Sequence, residues 1–520
     1  MTNSGAGKTA PIDAPGAEPA EPRRANLLLL ILCSAQLVLA VDVTVVNVAN
    51  ASIERALGFN SGNLQWTVTA YALTFGGFLL LGGRMSDLFG RRRLFMVGVA
   101  GFAITSLCAG SSQNTTELIA SRAAQGFCAA VISPAVLSLL AASFPEGRPR
   151  QRAYGLWATA GSMGGLVGFL FGGLITSYLG WRWIFFINGP IAALAITGAV
   201  FVLPKVEQRG PRRRLDVPGA ISVTFGLALV IYGLGEAQST SWTSTPTLVA
   251  LGCAPVLLVG FYFIERRTRE PLLPFALLRR RAAVGNLLSV FQQSIGASTA
   301  FLAPLFMQQV WGFSAGRAGA STLPLPIGFG IGARLSSRLV ARYGGRRLVI
   351  IGFTLVAIGC ILLARAPTHQ SYFETFLPAL FIRSFGQGLL VIPIVLSVTS
   401  GVQRDDQGIA AGLFNMSQQL GGALGLAAVA TVASAAATGA GGGIIGEAHG
   451  VRIGFLVAFG LAVSAAIVST LWLKTPPPER SVLVIPDVLS EPAHEQLDSV
   501  SESAPSTLTD RVRLETPEPI

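Results

Sequence analysis

Charge is what this 520-residue chain most lacks: Asp, Glu, Lys and Arg together make up 12% of it, against about a quarter in an ordinary soluble domain. Lysine is nearly missing. Lys8, Lys205 and Lys474 are the whole complement, so arginine supplies the rest of the positive charge. Histidine occurs three times, at His369, His449 and His494, outside the apolar runs. The five cysteines, Cys33, Cys108, Cys128, Cys253 and Cys360, all lie inside apolar runs at no metal spacing. They read as small packing residues, and neither a metal site nor thiol chemistry is indicated. Gly5-Ala6-Gly7-Lys8-Thr9 resembles part of a phosphate loop but lacks its leading glycine and a preceding strand. Nucleotide use is therefore not expected. No constellation of an enzyme emerges, and no cofactor is implied.

Apolar residues are what the chain has in excess. Hydrophobic types make up 51% of it, glycine contributes 60 residues and the mean hydropathy is +0.58. The runs extend from Leu27 to Leu473 and are solid, which points to membrane-spanning helices; a β-barrel would show alternation. Stretches of roughly 20 residues, enough to cross the hydrocarbon core, fall near 27–48, 64–83, 94–112, 116–141, 153–177, 183–203, 217–235, 246–264, 283–305, 316–337, 347–364, 374–399, 407–433 and 452–473. With the N-terminus in the cytoplasm, 31 of the 38 basic residues fall in cytoplasmic segments and 5 outside, with Arg122 and Arg383 left inside spans. That asymmetry predicts an even number of spans, fourteen, with both termini cytoplasmic. The net charge of +12 is thus a topological signal, and no nucleic-acid partner is expected.

The predicted organisation is a disordered N-tail at 1–26, a first six-helix bundle at 27–203, and a linker with two additional helices at 204–282. A second six-helix bundle at 283–473 and a disordered acidic tail at 474–520 complete it. An internal repeat supports paired bundles. A slide of 254 residues places Phe89 on Tyr343, Gly90 on Gly344, Arg92 on Arg346 and Leu94 on Leu348. Arg122-Ala-Ala-Gln125-Gly126 has a loose echo in Arg383-Ser-Phe-Gly386-Gln-Gly388. Paired bundles with a site between them are a transporter arrangement.

Asp42 is the one acidic residue well inside a predicted span. A carboxylate in hydrocarbon is costly, so it needs a water path, a partner or a proton. This makes it a proton-handling candidate, with a helix-pinning role as the plainer alternative. Arg122 is its natural partner, since each lies about six residues, or roughly 9 Å, from the outer end of its span. Gly164, Gly168 and Gly172, joined by Gly173, form a small-residue ridge for close helix packing. Gln36, Tyr71, Gln125, Gln292, Gln293, Arg383, Asn415 and Gln419 are cavity candidates, because buried amides and cations need partners or water. Arg383 is read either as a mirror of Arg122 or as a binder of substrate anions.

Four stretches carry a family resemblance. They are Asp42-Val-Thr44-Val-Val-Asn47-Val-Ala49, the loop Gly83-Arg-Met-Ser-Asp87-Leu-Phe-Gly90-Arg91-Arg92, the set Arg122, Gln125 and Gly126, and Gly164-Gly-Leu-Val-Gly168-Phe169-Leu-Phe-Gly172-Gly173. Gly180 to Pro190 is similar as well. The chain resembles the fourteen-span drug:proton antiporter branch of the major facilitator superfamily over about residues 27–473, with Phe169 where the antiporter motif has proline and Asn50-Ala51 where the family continues Leu-Pro. The resemblance implies an all-α integral membrane protein with two six-helix bundles and two inserted helices, resident in the bacterial cytoplasmic membrane and working as a monomer. It implies gating by Gly83, Asp87, Gly90, Arg91 and Arg92, in a loop that clamps one bundle on the other. The expected activity is proton-driven export of amphipathic, often cationic, small molecules such as drugs, dyes or antibiotics, with substrate, protons and lipid as the partners. A nutrient or metabolite transporter and a non-transporting receptor are the competing readings, the latter disfavoured by short outer loops.

Overall fold

The computed structural model describes residues 22–59, 63–144, 148–203, 216–239, 243–268, 280–399 and 407–473. Most of the N-tail, the acidic C-tail, the linker segments 204–215 and 269–279, and the side chains of Arg84 and Asp87 lie outside the described residues.

The described residues are helical. The helices are α1 Pro22–Leu57, α2 Trp66–Phe89, α3 Arg91–Ser111, α4 Thr115–Ser143, α5 Arg148–Tyr178, the single turn α6 Trp183–Phe186, and α7 Asn188–Val202. They continue as α8 Val217–Ser239, α9 Thr245–Arg267, α10 Arg280–Gln309, α11 Ala315–Ser321, α12 Pro324–Tyr343 and α13 Gly345–Ala364. A π turn at Tyr372–Phe376 leads into α14 Leu377–Thr399, followed by α15 Gln407–Gly439 and α16 Gly443–Trp472. Ten helices among the described residues are long and apolar enough to cross a membrane. The remaining stretches read as spans fall on α2, α8, α10 and α12. Of these, α10 carries a run of buried polar side chains, Asn286, Ser289, Gln292, Ser294, Ser298 and Thr299, which lowers its apolarity.

Three boundaries differ from expectation. Helix α1 begins at Pro22, inside the predicted tail, where proline suits a first helical turn. It also runs on to Leu57, past the predicted end at residue 48. Glu54 and Arg55 suggest a loop there, but Ala49, Ala51 and Ile53 are buried in the same core cluster as Phe306 and Trp311, and that burial holds the extra turns helical. The stretch 316–337 is divided between α11 and α12, because Pro324 offers no amide and so starts a helix where it would interrupt one.

Helices α1 to α7 pack mainly on one another: α1 on α5, α2 on α4, α3 on α4 and α7. Likewise α10 packs on α15 and α16, α12 on α14, and α13 on α14 and α16. Helices α8 and α9 pair as a hairpin, with α8 seated against α2 and α15. The repeat read from the sequence is visible in the backbone. Gly90 joins α2 to α3 at φ +93°, and Gly344 joins α12 to α13 at φ +79°, a region open to glycine at little cost. After each glycine an arginine reaches the last turn of a distant helix. Arg92 donates to the Val200 carbonyl at 2.6 Å, and Arg346 donates to the Thr470 carbonyl. Cations at helix C-termini satisfy the free carbonyls there.

The glycine ridge of α5 lies on α1. A β-carbon at Gly164 would stand 2.3 Å from Ala40 Cβ, one at Gly168 1.8 Å from Thr44 Oγ1, and one at Gly172 2.4 Å from Val45 Cγ2. The approach lets Thr44 Oγ1 donate to the Gly164 carbonyl at 3.2 Å. Gly173 faces the second half instead, 2.6 Å from the Ala315 carbonyl by the same measure. Gly168→Val is therefore expected to cost about 1–3 kcal/mol through overpacking. Gly155→Val, on the same helix with nothing within 4 Å, is the control. Thermal midpoints of the two purified variants check this, and equal midpoints would remove the packing role.

Candidate functional site

Helices α1, α4 and α7, with single groups from α2 and α3, bring polar residues together at one buried point. Asp42 lies midway along α1, Arg122 and Gln125 one turn apart on α4, and Asn188 at the start of α7. Asp42 is 1% exposed and Arg122 0%. Asp42 Oδ2 accepts from Arg122 Nη1 at 2.6 Å, a charge-assisted bond of the strong class. Oδ1 accepts from Gln125 Nε2 and from Asn188 Nδ2, both at 3.3 Å. Arg122 also donates from Nε to the Thr67 carbonyl and from Nη1 to Gln125 Oε1, both at 2.8 Å. Gln125 Nε2 donates to Ser106 Oγ at 2.7 Å, and Asn188 Nδ2 reaches the same oxygen at 3.3 Å. Every described contact to the Asp42 carboxylate comes from a donor, so the ionised form is matched on both oxygens. The guanidinium lies over the Tyr71 ring, 4.6 Å from its centroid, where the π face adds to the attraction.

The sequence candidates fare unevenly against this geometry. Asp42 and Arg122 touch directly, and Gln125 belongs to the same cluster. Tyr71, expected in a cavity wall, is buried under Arg122 as part of the cluster. Asn188, Ser106 and Thr67 were missed as cluster members. Asn188 carries a signal, a polar residue amid an apolar run, whereas Ser106 and Thr67 carry none. Gln292 is buried and donates to the Gln387 carbonyl at 3.0 Å. Arg383 is buried elsewhere, in α14. Gln36, Gln293 and Gln419 are half-buried and Asn415 is exposed. Gln36 sits against Gly161 and Gln419 against Gly76, so neither joins the Asp42 cluster.

At the α2–α3 turn, Gly83 packs near Pro134 and Gly90 takes its left-handed conformation. Arg91 donates to the Ser138 carbonyl at 3.4 Å, and Arg92 to Val200 as described. Among the described residues no group of three or more metal-ligating side chains gathers.

A buried carboxylate and guanidinium held by amides form a charge-paired polar cluster between packed helices; they offer no nucleophile or leaving-group chemistry. Comparison with known proteins agrees in kind. The family model described as Major Facilitator Superfamily matches residues 32–426. The puromycin resistance protein of Streptomyces alboniger is 36% identical over 471 residues, covering 88% of this chain and 93% of that one. The cephamycin export protein of Amycolatopsis lactamdurans is 34% identical, covering 87% and 94%. Among solved structures, a POT family transporter superposes with a TM-score of 0.65 at 14% identity, covering 87% of this chain and 98% of that one. A bacterial homolog of the lysosomal transporter Spinster gives 0.62 at 17%, covering 88% and 98%. At these identities the structures speak to the fold alone. The chain belongs to the Major Facilitator Superfamily, as a multi-pass transport protein of the bacterial cytoplasmic membrane and not an enzyme.

Proposed function

We propose that the protein is a proton-coupled antiporter that exports amphipathic small molecules by alternating access. The observation that carries the reading is the Asp42–Arg122 pair, fully buried and bound by Gln125 and Asn188. Protonating Asp42 removes one charge of the pair and converts an acceptor into a donor among groups that already donate. The cluster must then rearrange, and α1, α4 and α7 move with it. This is a local charge change acting on a two-state packing. The relatives' names, puromycin resistance and cephamycin export, support export as the direction and drug-like molecules as the cargo.

In this reading fourteen helices cross the membrane, both termini are cytoplasmic, and the bundles at 27–203 and 283–473 rock about the pair inserted at 204–282. Hydrogen bonds join the halves toward the end read as outside. Gln308 donates to the Val48 carbonyl, Gln309 to Glu54, and the Gly316 amide to Ser177. Those contacts suit a shape closed outside. The α2–α3 turn with Gly83, Asp87, Gly90, Arg91 and Arg92 acts as the opposite latch, the monomer is the working unit, and the proton gradient is the drive.

The test is accumulation of ethidium and rhodamine dyes by purified protein in proteoliposomes with an imposed pH gradient. Uphill accumulation that collapses when the gradient is dissipated is the expected result. Dye movement that follows only its own gradient, with or without the pH difference, would leave a facilitator.

A further inference from the structure

The two halves repeat their helix contacts at fixed steps. A β-carbon at Gly164 would meet Ala40 and one at Gly168 would meet Thr44; in the second half Gly421 meets Val290 and Gly425 meets Ser294 in the same way. From 40 to 290 and from 44 to 294 the step is 250, which sets the register of α10 against α1. Gly98 meets Ile132 and Gly352 meets Leu390; Gly101 meets Cys128 and Gly386 meets Leu355. These give a step of 254 from α3 to α13 and 258 from α4 to α14. The helix-interior prolines, Pro134 and Pro393, agree with the second step to within one residue.

The register places Gln292 where the first half has Asp42, Cys360 where it has Ser106, and Arg383 where it has Gln125. Arg383 is therefore not the mirror of Arg122, whose place falls to Leu380. The cation has moved one turn along its helix, and the carboxylate has become an amide. Arg383 is 3% exposed and Gln292 4%. Arg383 Nε and Nη2 are buried and meet no acceptor among the described residues, and Gln292 Oε1 is buried and meets no donor. Gln387, one turn beyond Arg383, fixes Gln292 by accepting from its Nε2. A buried guanidinium with no carboxylate is costly to keep. The matched position in the first half holds a carboxylate oxygen against an amide donor.

We propose that this is an anion subsite: a carboxylate carried by the transported molecule seats on the open Nε and Nη2 of Arg383, pairing with it as the Asp42 carboxylate pairs with Arg122 in the first half. A donor on the same molecule reaches Gln292 Oε1. The substrate class is then an amphipath with a carboxylate and a neighbouring hydrogen-bond donor. The word substrate rests on the export reading; the subsite does not.

The test is binding of rhodamine B, which has a free carboxylate, and of its ethyl ester, which has none, to the purified full-length protein in a neutral detergent, read by fluorescence anisotropy. Rhodamine B is expected to bind about tenfold more tightly, as a charge-assisted hydrogen bond warrants. Arg383→Gln should lose the preference and Arg383→Lys should keep it. Gln292→Glu gives Arg383 an internal carboxylate, and it should fold and also lose the preference. Equal affinity of the unaltered protein for both dyes, including none for either, overturns the proposal. So does a preference that survives Arg383→Gln and Gln292→Glu. A carboxylate preference in binding with no uphill transport in vesicles overturns the export reading and leaves the subsite standing. Uphill transport with no such preference overturns the subsite alone.

Discussion

Asp42→Asn is expected to abolish pH-driven uphill export while downhill exchange of dye continues. Asparagine keeps the shape of the side chain and can still accept from Gln125 or Asn188, but it cannot titrate. Each elementary charge crossing 100 mV is worth about 2.3 kcal/mol, enough to support a roughly fiftyfold gradient. The variant should forfeit the whole of that coupled accumulation, since no other carboxylate shares the buried cluster among the described residues. Dye accumulation with and without the pH gradient, alongside counterflow of preloaded dye, separates coupling from transport. If Asp42→Asn still concentrates dye at the original rate, Asp42 only holds α1 to α4 and α7, and the driving ion binds elsewhere.

Arg122→Ala should be the most destabilising single change, by about 3–5 kcal/mol, the range for removing one partner of a buried pair. Asp42 would keep only two amide donors at 3.3 Å, and the Thr67 carbonyl would lose its bond from the guanidinium. Tyr71 would lose the guanidinium that covers it. The double variant Asp42→Asn, Arg122→Gln removes both charges and leaves neutral groups able to bond, so it should melt above Arg122→Ala. Apparent melting midpoints of the detergent-purified proteins measure this. A double variant no more stable than Arg122→Ala would mean that the loss comes from packing and not from an unpaired charge.

Much of the fold is legible from single helices. The cost of bare backbone in hydrocarbon makes long apolar runs helical, and ten of the expected runs stand on helices long and apolar enough to cross a membrane among the described residues. The glycine ridge was legible too, because a spacing of four residues puts Gly164, Gly168 and Gly172 on one face whatever their partner. The partner, α1, was not. Asp42 and Arg122 touch, as their expected equal depth allows, although α1 runs fifteen residues beyond Asp42, roughly 22 Å, where six residues were expected. The pairing did not depend on that end, since Asp42 needs a cation and Arg122 is the one basic residue in the spans of the first half.

The second half shows where such reasoning stops. A sequence echo set Arg383 on Arg122, while the packed helices set it on Gln125, one turn away. Burial energetics act on each residue separately, so the sequence determined which groups must be inside and that each needs a partner. Register between helices depends on connections of unequal length and on which glycine admits which neighbour. For that reason only the tertiary structure decided that the first half answers its buried arginine with Asp42, whereas Arg383 Nε and Nη2 in the second half meet no acceptor among the described residues.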